Sequence, residues 1–299
     1  MRRMSWRVRR LAAGTITVAL LTVCSPDSPS TSPNPVLTQP EANAMAEVVA
    51  TDAAALSQGA TFDAATGMPF AVDPMMGAPT MPTSSATCTP TRTPSPPAYS
   101  DGDPVPDSVR VDFAGCTYTR GSYTATVSGT IDFVDPTPVT TDRAFRIRYT
   151  DFGRSVTNSA TGSTRSAVEN GVRSVVPTAD QIQLADTMTT EYTFASGTTA
   201  SHVRKWLATF TADQAGSIQV GSRLPSGDWT IAGTSSYTSG TNSYSLSVTT
   251  SEPLHYNPSC TTEPRFDSGK LSAVVTKGTT STTVTIEFTA CGQYTVTRS

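Results

Sequence analysis

The sequence predicts a mainly β protein, a large antiparallel meander forming an incomplete barrel or curled sheet with one N-terminal helix docked on it. A β-sandwich is the alternative. Three observations lead there. Charged residues make up 15% and hydrophobic residues 37% of 299 positions, and Thr, Ser, 20 Gly and 22 Pro fill the difference, a composition that favours strands and turns over helices. From Val109 onward, apolar and polar residues alternate with period two. Turn residues punctuate that alternation often enough for roughly a dozen strands.

Residues 1–23 read as an export signal. Five arginines (Arg2, Arg3, Arg7, Arg9, Arg10) precede an uncharged run from Leu11 to Val23, too short to span a bilayer comfortably. Leu21-Thr22-Val23-Cys24 follows, and the chain then turns to Ser, Pro and Thr. These residues resemble bacterial lipoprotein precursors, although Val23 stands where Gly, Ala or Ser is usual. The resemblance covers the first 37 residues or so. It implies cleavage before Cys24, lipid on its sulfur, and a protein of the bacterial cell envelope, anchored to a membrane and facing the periplasm or exterior. The same residues also fit an ordinary secretory signal.

Without residues 1–23, 16 basic residues face 24 acidic ones, a formal charge of −8. So acidic a chain has no electrostatic footprint for nucleic acid. Residues 24–37 form a Pro/Ser-rich tether. Thr38-Gln39-Pro40-Glu41 is a helix start with a capping box, and the helix at 38–58 ends at a Gly59 terminator. Its Met45, Val48, Val49 and Leu56 form a stripe diluted by Ala, too weak to stand alone, so the helix is expected to dock. Residues 59–107, rich in Pro, Gly and Met, show neither helix nor strand period and read as irregular.

The antiparallel β domain is expected over 108–299. Val109, Val111 and Phe113 alternate with Arg110 and Asp112, and the pattern recurs at Tyr123–Phe133, Phe145–Tyr149, Tyr244–Val248 and Val284–Phe288. Such strands have one dry face and one wet face. Asn170-Gly171, between R-S-A-V and V-R-S-V, reads as a two-residue hairpin turn. Gly121, Gly162, Gly197, Gly227, Gly240 and Gly278 mark further turns. A division into two β domains near residue 196 is the competing organisation.

Four cysteines remain beside Cys24. They fall in a duplicated motif, Cys88-Thr89 before V-D-F-A-G-Cys116 and Cys260-Thr261 before I-E-F-T-A-Cys291. Two self-contained hairpins would be bridged Cys88–Cys116 and Cys260–Cys291. Asp112 and Glu287 of the motif alternate with apolar neighbours, which puts them on the wet face. The cysteines are isolated from one another and from His, so no metal site is expected of them.

No catalytic motif occurs, and no cofactor is expected. His202, Arg204 and Trp206 share one strand face, either a weak ligand platform or an exposed face with a half-buried Trp. His255 is expected in a loop beside Cys260, while Trp229 and Tyr237 are expected in the core and its rim. Asp101, Asp103 and Asp107 flank Gly102 and read as a turn, because the five or six oxygens of a calcium loop are missing. Asp132, Asp151, Glu191 and Glu287 offer no obvious glycosidase pair. The function this supports is a non-enzymatic binding or structural module. Alternatives are a carrier of a lipid or other apolar ligand between sheet and helix, and a hydrolase of surface polymers.

Overall fold

Thr38 opens the one helix among the described residues, as its residue type dictates. In the computed structural model, which describes residues 37–60, 62–63, 68–69, 90–219 and 222–299, helix α1 spans Gln39–Gly59. The Glu41 amide donates to Thr38 Oγ1 (3.4 Å) and the Thr38 amide donates to Glu41 Oε2 (2.8 Å), closing the capping box. The signal segment, Cys24, the tether through residue 36 and Cys88 lie outside the described residues.

Gly59 is the last helical residue and not a left-handed terminator, since Ala60 follows at φ −81°. Its missing side chain serves packing. A Cβ there would fall 1.9 Å from Arg173 Nη1, which donates to the Ala55 carbonyl at 2.7 Å. The helix carries no basic residue in its last turn, and Arg173 brings a cation to its negative C-terminal end from outside.

Strands β1 (Phe62–Asp63) and β2 (Met68–Pro69) pair with each other. Twelve more form a single antiparallel sheet. They are β3 (Thr91–Thr93), β4 (Ser108–Arg120), β5 (Tyr123–Val134), β6 (Phe145–Asn158), β7 (Ser163–Pro177) and β8 (Gln181–Thr193), then β9 (Thr199–Ala212), β10 (Gly227–Ser239), β11 (Asn242–Tyr256), β12 (Phe266–Lys277), β13 (Thr280–Ala290) and β14 (Gln293–Arg298). Every strand lies beside its sequence neighbours. The meander is thus one sheet and not a sandwich, because chain-order hairpins leave no crossover to a second layer. The β8–β9 ladder runs from Gln181↔Thr211 to Thr193↔Thr199 across residue 196. Strand β3 sits inside the Pro-rich stretch read as irregular, tolerated because it is three residues long and at the sheet edge.

The Asn170-Gly171 turn is not formed. Both residues lie inside the continuous strand β7, where they serve a break in the neighbouring ladder between Tyr149 and Phe152. Asp151 sits there at φ 46°. Its amide donates to Asn170 Oδ1 (2.8 Å), while Asn170 Nδ2 donates to Asp151 Oδ1 (3.2 Å). Gly171, at φ 148°, lets β8 close in: a Cβ would meet the Thr187 carbonyl oxygen at 2.2 Å. Asn-Gly is here a bulge device, a use that local turn statistics do not distinguish from a hairpin.

Bulges of this kind recur in β4–β6 and β10–β14, and they are how a sheet turns a corner. The curl is visible at Glu47 of α1. Its Oε1 lies 3.2 Å from Arg165 Nη1 on β7, and Glu47, Arg165 and Tyr294 of β14 line one groove. In a flat sheet, seven strand spacings would hold β7 and β14 about 34 Å apart. Arg298 of β14 also donates to the Leu37 carbonyl at the helix start. The inward faces carry the core, with Phe133 stacked on Phe145 (4.9 Å) and Phe210 against Trp229 (5.3 Å). Met45, Val48, Val49, Ala50, Ala53 and Leu56 are buried on α1. The alanines that dilute its apolar stripe are what let strands approach it from several sides.

Candidate functional site

The strand face holding His202, Arg204 and Trp206 turns inward. All three are buried, at 0%, 0% and 1% exposure, while Val203 and Leu207 of the same strand face solvent at 41% and 69%. The expectation of an exposed face with a half-buried Trp is therefore corrected. Polar residues go inside because α1 presents a carboxylate to them. Asp52, itself 0% exposed, accepts from Arg204 Nη1 at 2.6 Å, from Tyr192 OH at 2.9 Å and from His202 Nδ1.

The network continues along the sheet. Arg204 Nε donates to Asp186 Oδ2 at 2.6 Å, and Arg173 Nε donates to Asp186 Oδ1 at 2.9 Å. Thr190 Oγ1 accepts from Arg204 Nη1 at 2.8 Å, and Arg154 Nη2 reaches Glu169 Oε1 at 2.8 Å. Arg173 and Arg204 also lie over the rings of Tyr149 (5.7 Å) and Trp206 (5.6 Å). Burial alone would raise the Asp52 carboxyl, but the Arg204 charge and the bonds from His202 and Tyr192 outweigh it and hold it below its ordinary value. Burial opposes the charge on Arg173 and Arg204, and their carboxylates outweigh it in turn.

Sequence reasoning missed Asp52, Asp186 and Arg173. A signal was present: each is a charged residue in the apolar phase of its element, as in V-A-T-D-A-A-A and I-Q-L-A-D-T-M. Chemically, the network fastens the helix to β7, β8 and β9. Its carboxylates are paired with arginines and closed off from solvent, which leaves no group placed to meet a substrate. His202 Nε2, Arg204 Nη2 and Trp206 Nε1 have no protein partner, and buried atoms of this kind are ordinarily bonded to internal water.

A second constellation lies at the sheet end. His255 is in strand β11, not a loop. Its Nδ1 is 2.7 Å from Asp267 Oδ1, and its Nε2 is 3.2 Å from Ser226 Oγ, the spacing of a nucleophile, base and orienting acid. Asp213 decides against that use. Ser226 Oγ donates to Asp213 Oδ2 at 2.6 Å, and the same oxygen sits 3.2 Å from His255 Nε2. Burial works against charge on His255, but Asp267 and Asp213 outweigh it and raise its pKa. The Ser226 hydroxyl hydrogen is directed at Asp213 and not at His255 Nε2.

Cys260 and Cys291 are disulfide-bonded to each other, and Cys116 is in a disulfide whose partner lies outside the described residues. Trp229 and Tyr237 are both core residues. Asp132, Asp151, Glu191 and Glu287 stand on four different strands, with Asp132 bound by Arg110 (2.7 Å) and Glu287 3.5 Å from Lys270. They form no pair in a cleft.

A groove of about 830 Å³ opens between helix and sheet, where the open edge at β14 faces the β8–β9 turn across α1. Asn43, Ala44 and Glu47 line it from the helix, Phe194 from the β8–β9 turn, and Tyr294 and Val296 from β14. Burial, then the Glu47 charge, pushes the Tyr294 hydroxyl up to about 12. No protein family, characterised protein sequence or solved structure matches this chain. Among the described residues no helix is long and apolar enough to cross a membrane.

Proposed function

We propose that the chain is an exported bacterial envelope protein, lipid-anchored through Cys24, that acts as a non-enzymatic binding or structural module held off the membrane by its Pro/Ser tether. The observation carrying this reading is where the ionisable groups go. Asp52, Asp186, Arg173, His202 and Arg204 are consumed in fastening α1 to the sheet, and the Ser226-His255-Asp267 arrangement is closed by Asp213. What stays accessible between helix and sheet is a groove, a place to bind and not to react. Cells grown with radiolabelled palmitate should yield labelled protein in the membrane fraction, with the label lost in Cys24→Ala. Unlabelled wild-type protein would remove the anchor from the proposal.

The groove favours a second reading, a carrier of a small amphiphile. Its volume is that of a ligand site, and Phe194, Tyr294 and Val296 offer apolar contact beside Gln39, Asn43 and Arg165. A fluorescent lysolipid should then bind the wild-type chain and fail to bind Ala44→Trp, which fills the groove. Equal binding by both would sink this reading.

A further inference from the structure

We propose that Asp101, Asp103 and Asp135 form a calcium site that ties the loop before β4 to the loop after β5. One carboxylate oxygen from each lies within 4.8 Å of the others. Asp103 and Asp135 are buried, at 8% and 4% exposure. The set comes from two loops. Asp135, which the sequence did not associate with the other two, follows directly after β5, and Asp107 turns away to accept from the Ser100 amide (2.7 Å) and hydroxyl (2.5 Å).

The carboxylates are only half satisfied. Asp101 Oδ1 accepts from the Asp103 amide (3.0 Å), Asp103 Oδ1 from the Val105 amide (2.6 Å), Asp103 Oδ2 from the Arg143 amide (3.2 Å), and Asp135 Oδ1 from the Thr137 amide (2.7 Å). Asp101 Oδ2 and Asp135 Oδ2 are buried with no donor at all. A buried carboxylate oxygen without a donor or cation is costly. Three carboxylates brought this close also crowd like charge at one point.

A cation resolves both problems together. Three oxygens all within 4.8 Å of one another share a point no more than about 2.8 Å from any of them, a space that the 2.3–2.6 Å of calcium–oxygen bonds fits. Three carboxylates supply three to six of the six to eight oxygens that calcium takes, and water can supply the rest. The inference does not depend on the lipid anchor.

The test is calorimetric titration of the chelator-treated full-length chain with calcium chloride, magnesium chloride serving as the control, together with thermal melts. One calcium per chain is expected, with a dissociation constant in the range of roughly 10⁻⁴–10⁻³ M found for extracellular modules and a calcium-dependent rise in Tm. Asp101→Asn and Asp135→Asn should each weaken binding about tenfold or more. If Asp135→Asn fails to fold, Asp101→Asn, whose residue is the less buried, decides alone. A folded chain that takes up no calcium at millimolar concentration overturns the proposal, as does binding that both variants leave unchanged.

Discussion

Asp52 of α1 and Arg204 of β9 are each shut away from solvent, and Asp52 Oδ1 lies 2.6 Å from Arg204 Nη1. This contact joins a helix near the start of the described chain to a strand 152 positions later. It makes the helix a part of the sheet's interior and not a lid on it.

Removing one partner of such a pair is far worse than removing both. Asp52→Ala should lower stability by about 3–5 kcal/mol in urea unfolding, because Arg204 stays buried with its charge only partly met. Asp52→Leu combined with Arg204→Met should recover a large part of that loss. If the double variant is as unstable as the sum of the single ones, the pair is not the fastening.

Acid should undo the same contact. The Asp52 carboxyl is held below its ordinary value of 3.8, so its contribution is present above that value and fades as pH falls below it toward the lower folded-state pKa. Wild-type Tm should drop steeply below about pH 4, and the drop should be shallower in the Asp52→Leu, Arg204→Met double variant.

His255 runs with the opposite sign. Its pKa is raised between Asp267 and Asp213, so its stabilisation is complete below about pH 6.5 and is lost as pH rises through the folded-state value. His255→Gln should abolish that alkaline loss, and NMR titration should place the imidazole above 6.5. A fluorophosphonate probe should leave Ser226 unlabelled. Labelling would restore the hydrolase alternative.

Gly59→Ala sets two effects against each other. Alanine is the better helix former by about 1 kcal/mol, but its Cβ would stand 1.9 Å from Arg173 Nη1 and displace a guanidinium bonded to Asp186 and Ala55. Overpacking of this kind costs about 1–3 kcal/mol, and a net fall in Tm is expected. A rise would mean that Arg173 moves freely.

Cys260 and Cys291 are 31 residues apart in sequence, and a loop of that length implies roughly 3.5 kcal/mol from the constraint on the unfolded chain. The Cys260→Ser, Cys291→Ser variant should lose about that much in reversible unfolding. No change in midpoint would show the bridge to be dispensable.

The sequence by itself determined the meander. Period-two alternation and glycine punctuation are local properties, and they specify strands, their dry faces and chain-order pairing, just as Thr38 and Glu41 specify the helix start. Local pattern was misleading where one motif serves two geometries: Asn170-Gly171 has the chemistry of a hairpin, and only its neighbour Asp151 shows it to be a bulge support. Tertiary structure alone decided the rest. Whether His202 and Arg204 face water or the interior depends on Asp52, and whether Asp101 and Asp103 stand as a simple turn or beside a third carboxylate depends on Asp135. In each case the deciding residue is distant in the chain, and its charge acts only once folding has brought it within a few ångströms.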